Sequence, residues 1–118
     1  NRIKFYQSCV DNFFKGKYDL IISNPPYINK LKLKYLEKDI YDFEPYIALE
    51  GGLDGSSMLN KVIKKSSSLI KVGGKLILEI GFDQKFKTMK FLKKEGFYVN
   101  KVIRDYGKND RCIISTKI

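Results

Sequence analysis

The tetrapeptide Asn24-Pro25-Pro26-Tyr27 carries the residue types in this chain that are best suited to chemistry. It directly follows Tyr18–Ser23, an apolar run that predicts a strand buried on both faces. Successive prolines cannot donate hydrogen bonds to a neighbouring strand, so the strand must end there. In open α/β sheets, ligands bind at the rim formed by the carboxyl ends of the strands. The tetrapeptide is therefore expected at such a rim.

These four residues suit one task, the methylation of a planar –NH2 group. Such a nitrogen is a poor nucleophile because its lone pair is delocalised into the attached carbonyl or ring. The Asn24 side-chain carbonyl can accept one N–H and the Pro25 backbone carbonyl the other, which turns the nitrogen toward a methyl donor. Pro25 and Pro26 fix the backbone, and the Tyr27 ring can stack on the planar group. Asn24 and Pro25 are the candidate catalytic residues, and all four are candidates for substrate binding; the alternative is a merely rigid turn.

The rest of the pattern predicts an α/β sheet that ends in an antiparallel hairpin. Gly73-Gly74 and Gly96 are expected to end two helices, and Phe86, Met89 and Leu92 to face the core from the second helix. The predicted elements, in chain order, are a short strand at Ile3–Tyr6, the strand Tyr18–Ser23, a long connection over residues 28–53, a helix capped by Asp54 and running to about Lys71, a strand at Lys75–Ile80, a helix at about Gln84–Glu95, and strands at Phe97–Asp105 and Arg111–Lys117 joined at Gly107.

Composition excludes several classes of protein. A length of 118 residues suits one domain, and no apolar stretch approaches the ~20 residues of a membrane helix. The chain has two cysteines and no histidine, which argues against a disulfide framework, a zinc site and His-dependent nucleophilic catalysis. No metal site is expected. With no targeting segment visible, the cytoplasm is the expected location.

The net charge of +10 allows a polyanionic partner but does not require one. Arginine, which reads base edges best, occurs only at Arg2, Arg104 and Arg111, and the other basic residues are lysines. A coding bias that favours lysine, together with isoleucine and asparagine, is the preferred explanation of the charge. Nucleic acid is therefore a possible partner, not a required one.

Several further segments point in the same direction as the tetrapeptide. They are Asp42-Phe43-Glu44-Pro45 with Ala48-Leu49, Gly51-Gly52-Leu53-Asp54-Gly55, residues 73–81 and residues 105–111. With the tetrapeptide, they resemble the release factor glutamine N5-methyltransferases of the HemK type, which are class I methyltransferases. The resemblance covers nearly all of the chain. The tetrapeptide is shared with DNA and RNA methyltransferases, whereas the Phe-Glu-Pro and Asp-Gly segments belong more to the glutamine branch.

This resemblance implies a Rossmann-like class I methyltransferase sheet and S-adenosyl-L-methionine as the cofactor. It implies methylation of the glutamine side-chain amide in the Gly-Gly-Gln motif of peptide chain release factors, by one in-line displacement. The tetrapeptide would bind that amide, with Asn24 also close to the cofactor. Cys9 and Val10 fall where the family contacts the cofactor, although the family usually has an acidic residue at the position of Cys9.

The resemblance also implies that residues 1–118 are the C-terminal catalytic part of a methyltransferase domain. The Gly-rich cofactor loop and an N-terminal helical domain would then lie upstream of Asn1. In the family's sheet, two strands that precede Ile3 in sequence would lie in space between the strands Ile3–Tyr6 and Tyr18–Ser23. Without them, we expect Tyr18–Ser23 to have an open edge, Ile3–Tyr6 to lack a neighbour, and the isolated chain to be inactive.

Two other functions stay open at the level of sequence. The first is a methyltransferase acting on adenine or cytosine amino groups of DNA or RNA, since the tetrapeptide also occurs there. The second is a non-catalytic remnant or binding module that keeps the substrate loop without the donor site.

Overall fold

The computed structural model describes residues 2–26 and 56–118. Within them, a 3₁₀ turn at Val10–Asn12 is followed by β1 (Tyr18–Ser23), α1 (Ser56–Leu69), β2 (Ile70–Glu79), α2 (Lys85–Lys94), β3 (Phe97–Arg104) and β4 (Asp110–Lys117). These strands form one sheet in the order β1-β2-β4-β3. β1 is parallel to β2, and β4 is antiparallel to both β2 and β3. The α/β class and the terminal antiparallel hairpin are confirmed.

The strand predictions differ in outcome along the chain. Tyr18–Ser23 has the predicted bounds, and the last two strands agree with prediction to within one residue at each end. The strand predicted at Ile3–Tyr6 is wrong, because this segment pairs with no strand in the part of the chain that the structure describes, and its Ile3 and Phe5 side chains are exposed. β-type residues form a strand only where a neighbour satisfies the backbone groups. The predicted connection over residues 28–53 and the Asp54 cap lie outside the described residues.

Gly73 and Gly74 do not end the first helix, as the sequence pattern predicts. α1 ends at Leu69, and both glycines lie inside β2. The pairing advances five residues on β2, from Ile70 to Lys75, while β1 advances two, from Tyr18 to Leu20, so β2 carries a three-residue bulge. Gly73 has a φ of 84°, a backbone conformation that favours glycine. The glycine pair therefore forms this bulge.

α1 and α2 pack against the sheet to form one hydrophobic core. The fully buried side chains include Leu59 and Ile63 of α1, Leu76 and Leu78 of β2, Leu92 of α2 and Ile113 of β4. The prediction that Phe86 faces the core is wrong, because its side chain is 80% exposed. Thr88 is buried instead. At about 100° per residue, Phe86 lies on the opposite side of α2 from Thr88. The Thr88 hydroxyl is satisfied because it donates to the Gln84 carbonyl at 2.7 Å.

β1 is an edge strand of the described sheet, since its ladder partner is β2. Leu20 and Ile22 are 49% and 68% exposed. The prediction that Tyr18–Ser23 is buried on both faces is therefore wrong, and among residues 2–26 and 56–118 this strand has the expected open edge. Its unpaired backbone groups and apolar side chains form a surface on which a further strand can add.

Replacement of Gly74 by Ala tests the packing of the bulge. A Cβ at Gly74 would lie 2.7 Å from Ile70 Cγ1, 2.9 Å from the Lys71 carbonyl oxygen and 3.1 Å from the Asp19 carbonyl oxygen. Such overpacking costs about 1–3 kcal/mol. We expect Gly74→Ala to lower the Tm of the complete protein.

Gly73→Asn is the matched control for this substitution. Nothing lies within 4 Å of a Cβ at Gly73, and asparagine tolerates the left-handed region better than other residues with a side chain. We expect a smaller loss of Tm from this variant. A Gly74→Ala protein as stable as the wild type would contradict the close approach of the bulge to β1.

Candidate functional site

A groove of about 510 Å³ lies between β1, α1 and the segment that precedes β1. Cys9 and Val10, the two predicted cofactor contacts, both line it. β1 lines it from Leu20 to Ser23, the residue immediately before Asn24. The structure therefore brings the two candidate cofactor contacts and the strand that carries the tetrapeptide around one groove.

The segment that forms one wall of this groove is held on α1 by several contacts. Asp11 pairs with Lys61 at 3.5 Å, and Lys17 Nζ donates to the Ser68 carbonyl at 2.8 Å. Val10 is partly buried and packs against the hydrophobic core. Both polar contacts are exposed and so contribute little stability each. Apolar packing of Val10 and the Lys65 Nζ contact with the Phe14 ring, at 3.8 Å from its centre, add to these polar contacts.

The tetrapeptide begins where β1 leaves the sheet. Ser23 is the last residue of β1 paired with β2, so Asn24 follows directly at the carboxyl end of two parallel strands. Asn24 is exposed, Pro25 is buried and Pro26 is half-buried, while Tyr27 lies outside the described residues. Burial and the fixed proline φ hold the backbone at Pro25, and exposure leaves the Asn24 amide accessible to a ligand.

The loop after β2 is held at the same rim by two side chains that the sequence reasoning missed. The Ile80 N–H donates to the Arg111 carbonyl at 2.8 Å, and Arg111 Nη1 donates back to the Ile80 carbonyl at 3.4 Å. The Gly81 N–H donates to Gln84 Oε1 at 2.9 Å. Arg111 Nε in turn donates to Asp105 Oδ2 at 3.2 Å. The available signal was the opposite charge of Asp105 and Arg111 at the two ends of the predicted hairpin turn.

Asp105 is kept ionised by its surroundings. The Asn109 backbone N–H donates to its carboxylate at 3.0 Å and lowers the pKa of Asp105, and the Arg111 guanidinium lowers it further against an opposing effect of desolvation. A carboxylate with a lowered pKa stays charged well into the acid range. Asp105 therefore orients Arg111 at neutral pH.

Glu79 and Cys112 pair across β2 and β4 near this rim. Burial raises the pKa of the Cys112 thiol, and the nearby Glu79 carboxylate raises it further. The thiolate is the nucleophilic form of cysteine, so both effects suppress the reactivity of Cys112. Cys112 is best described as a half-buried structural thiol.

Residues 2–26 and 56–118 contain neither a metal-binding cluster nor a membrane-spanning helix. No group of three or more His, Cys, Asp or Glu side chains is placed to hold a metal ion. No helix in this part of the chain is long and apolar enough to cross a membrane.

Comparison with known proteins supplies the family. No protein-family model matches the chain. It is 41% identical over 103 residues to the release factor glutamine methyltransferase of Buchnera aphidicola (strain APS), which covers 87% of this chain and 37% of that protein. It is 35% identical over 101 residues to the enzyme of the same name from Clostridium acetobutylicum, which covers 86% of this chain and 35% of that protein. The chain belongs to the release factor glutamine methyltransferase family.

A solved structure supports the fold of this family member independently. The ribosomal protein L11 methylase of Lactobacillus delbrueckii superimposes with a TM-score of 0.58 at 19% identity, covering 95% of this chain and 43% of that protein. The fold is the Rossmann-like fold of class I methyltransferases, as predicted. The chain spans about a third of the length of the two curated relatives.

The two cysteines allow a chemical test of the groove wall. Cys9 is exposed, whereas Cys112 is half-buried with a raised pKa. We expect iodoacetamide at neutral pH to alkylate Cys9 several-fold faster than Cys112, as measured by peptide mass spectrometry on the complete protein. Cys9→Ser serves as the control, since it should remove the fast phase and leave the slow one. Equal rates at both thiols would contradict the described burial.

Proposed function

We propose that the complete protein transfers a methyl group from S-adenosyl-L-methionine to the glutamine side-chain amide nitrogen of the Gly-Gly-Gln motif in peptide chain release factors, in the cytoplasm. The main support is that a chain of this family places Asn24-Pro25-Pro26 at the carboxyl end of β1. The curated relatives are named for the methylation of release factor glutamine. The site and the family thus favour the same reaction.

The groove beside β1 fits part of the proposed cofactor. Its walls are mostly apolar and include Tyr6, Val10 and Phe13, which suits a flat ring system. Cys9 and Val10 would contact the cofactor at one side, and Asn24 at the end of β1. Among the described residues that line the groove, none has a carboxylate side chain, the group best suited to hold ribose hydroxyls. When bound, the cofactor supplies an electrophilic methyl group on its sulfonium sulfur.

In this proposal, Asn24 and Pro25 orient the acceptor nitrogen. Asn24 Oδ1 accepts one amide N–H and the Pro25 carbonyl accepts the other, so that the face of the nitrogen points toward the methyl group. Pro26 and Tyr27 complete the substrate site, Pro26 by fixing the backbone and Tyr27 by stacking on the amide plane. The contribution to rate is orientation, which does not require a histidine or a metal ion.

We further propose that the cofactor is held jointly by these residues and by residues outside the 118-residue chain. The open edge of β1 supports this, because Leu20 and Ile22 are exposed beside the groove. The length of the relatives supports it too, since they extend well beyond the matched region. The chain would then be a partial methyltransferase domain.

Replacement of Asn24 by Ala tests the orienting role directly. Loss of one of two acceptors lets the amide rotate, and misplacement by about 1 Å costs roughly a hundredfold in rate. We expect kcat for methylation of a release factor to fall about a hundredfold in the complete protein. Because Asn24 is exposed, Tm should stay near that of the wild type.

Asn100→Ala is the matched control for this substitution. Asn100 is an exposed asparagine on β3, at the opposite edge of the described sheet. We expect its kcat to equal that of the wild type. Wild-type kcat in the Asn24→Ala protein would contradict the proposed role of the tetrapeptide.

The shared cofactor site predicts that the 118-residue chain alone binds S-adenosylmethionine poorly and does not turn over. Isothermal titration of the isolated chain and of the complete protein measures this, with circular dichroism to verify that the chain is folded. We expect cofactor binding by the complete protein alone. Tight binding by the folded isolated chain would refute the proposal of joint binding.

A further inference from the structure

α2 carries a high density of positive charge. Five of its ten positions are lysine and none is acidic, the lysines being Lys85, Lys87, Lys90, Lys93 and Lys94. The helix dipole favours Lys93 and Lys94 in the last turn. In the first turn, Lys85 Nζ lies 5.4 Å from the centre of the Phe86 ring.

An exposed aromatic ring lies near each end of this run of lysines. Phe86, Lys90, Lys93 and Lys94 are all exposed. Lys90 follows Phe86 by four residues, and Lys93 and Lys94 follow Lys90 by three and four, which places all of them on one side of α2. At the far end, the Tyr98 side chain at the start of β3 is 62% exposed. We name these five residues the basic–aromatic face.

Part of this face is concave. A groove of about 570 Å³ runs between α2 and β3, with Lys90, Lys93 and Tyr98 in its lining and Met89 and Phe97 beside them. The lining of this groove thus combines lysine side chains with aromatic rings. A flat, negatively charged ligand matches both properties of the groove.

The lysine charges of this face are not neutralised by neighbours. Within residues 2–26 and 56–118, Lys90, Lys93 and Lys94 form no ion pair, whereas Lys61 and Lys71 elsewhere in the chain each pair with an aspartate. The three lysines are therefore available to an anionic partner.

The free edge of β3 is poorly suited to pairing with a strand from a partner. β3 is an edge strand of the described sheet, but its pairing with β4 is interrupted between Val99 and Lys101 by one extra residue. Bulges and lysines on edge strands block the addition of another strand. The basic–aromatic face is thus suited to a partner that is bound by side chains. Ammonium groups beside exposed aromatic rings bind single-stranded nucleic acids, through phosphate contacts and base stacking.

We propose that the basic–aromatic face binds single-stranded RNA with little sequence preference. The face carries no arginine, the residue that reads base edges most often, so phosphate contacts and stacking on Tyr98 and Phe86 account for the binding. β1 and β3 lie at opposite edges of the sheet, so the bound RNA leaves the groove beside β1 accessible. This site is independent of the proposed methyl transfer.

Fluorescence anisotropy of the complete protein with a labelled single-stranded uridine oligomer tests the proposal. We expect the triple variant Lys90→Gln, Lys93→Gln, Lys94→Gln to lose most of its affinity and to reduce the slope of log K against log salt by about 2, since three phosphate contacts are removed. Tyr98→Ser should weaken binding about tenfold through lost stacking. All these side chains are exposed, so Tm and methyl-transfer activity should stay unchanged.

The matched control removes the same charge elsewhere, by Lys4→Gln, Lys15→Gln and Lys64→Gln on exposed positions. We expect this variant to keep nearly wild-type affinity. An equal loss in the control would overturn the proposal, because it would show attraction by net charge alone. An RNA affinity of Tyr98→Ser equal to that of the wild type would also overturn the proposal. Tighter binding of poly-glutamate than of RNA would overturn it too, because the partner would then be an acidic polypeptide.

Discussion

The parallel pairing of β1 with β2 sets the position of everything at the candidate site. Because the two strands run in the same direction, their carboxyl ends meet at one rim, where Asn24 leaves β1 and Ile80 leaves β2. The Gly73-Gly74 bulge keeps the two strands in register along their carboxyl halves despite three extra residues in β2. A shift of this register by one residue would turn alternate side chains to the wrong face and displace the tetrapeptide.

The rim is fixed from one side and open on the other. On the side of β4, Arg111 and Gln84 hold the loop after β2, and Asp105 in turn orients Arg111. On the outer side of β1, no ladder partner lies within the described residues, and Leu20 and Ile22 are exposed. In the proposed reaction, this chain would supply the substrate-binding tetrapeptide and one mostly apolar wall of the cofactor site. That division agrees with a chain spanning about a third of its relatives.

Much of this organisation could be predicted from sequence, and the failures have specific physical causes. The apolar run Tyr18–Ser23 and the prolines after it fixed the strand end, and the family followed from motifs rather than from periodicity. Gly73-Gly74 suits a helix end and a bulge equally well, and only pairing with β1 distinguishes them. Phe86 shows that an apolar side chain on a short helix does not by itself reveal the buried side. The roles of Asn24, Pro25, Cys9 and Val10 stay predictions, since they depend on ligands.

The proposed methylation of release factor glutamine is tested most directly by locating the atom that receives the methyl group. The complete protein would receive isotopically labelled S-adenosylmethionine with a release factor and duplex DNA together, and tandem mass spectrometry would locate the labelled atom. Label on the side-chain amide nitrogen of the Gly-Gly-Gln glutamine is the predicted result. Label on the DNA alone would contradict the proposed substrate while retaining amino-group methylation, and label on neither would contradict catalysis itself.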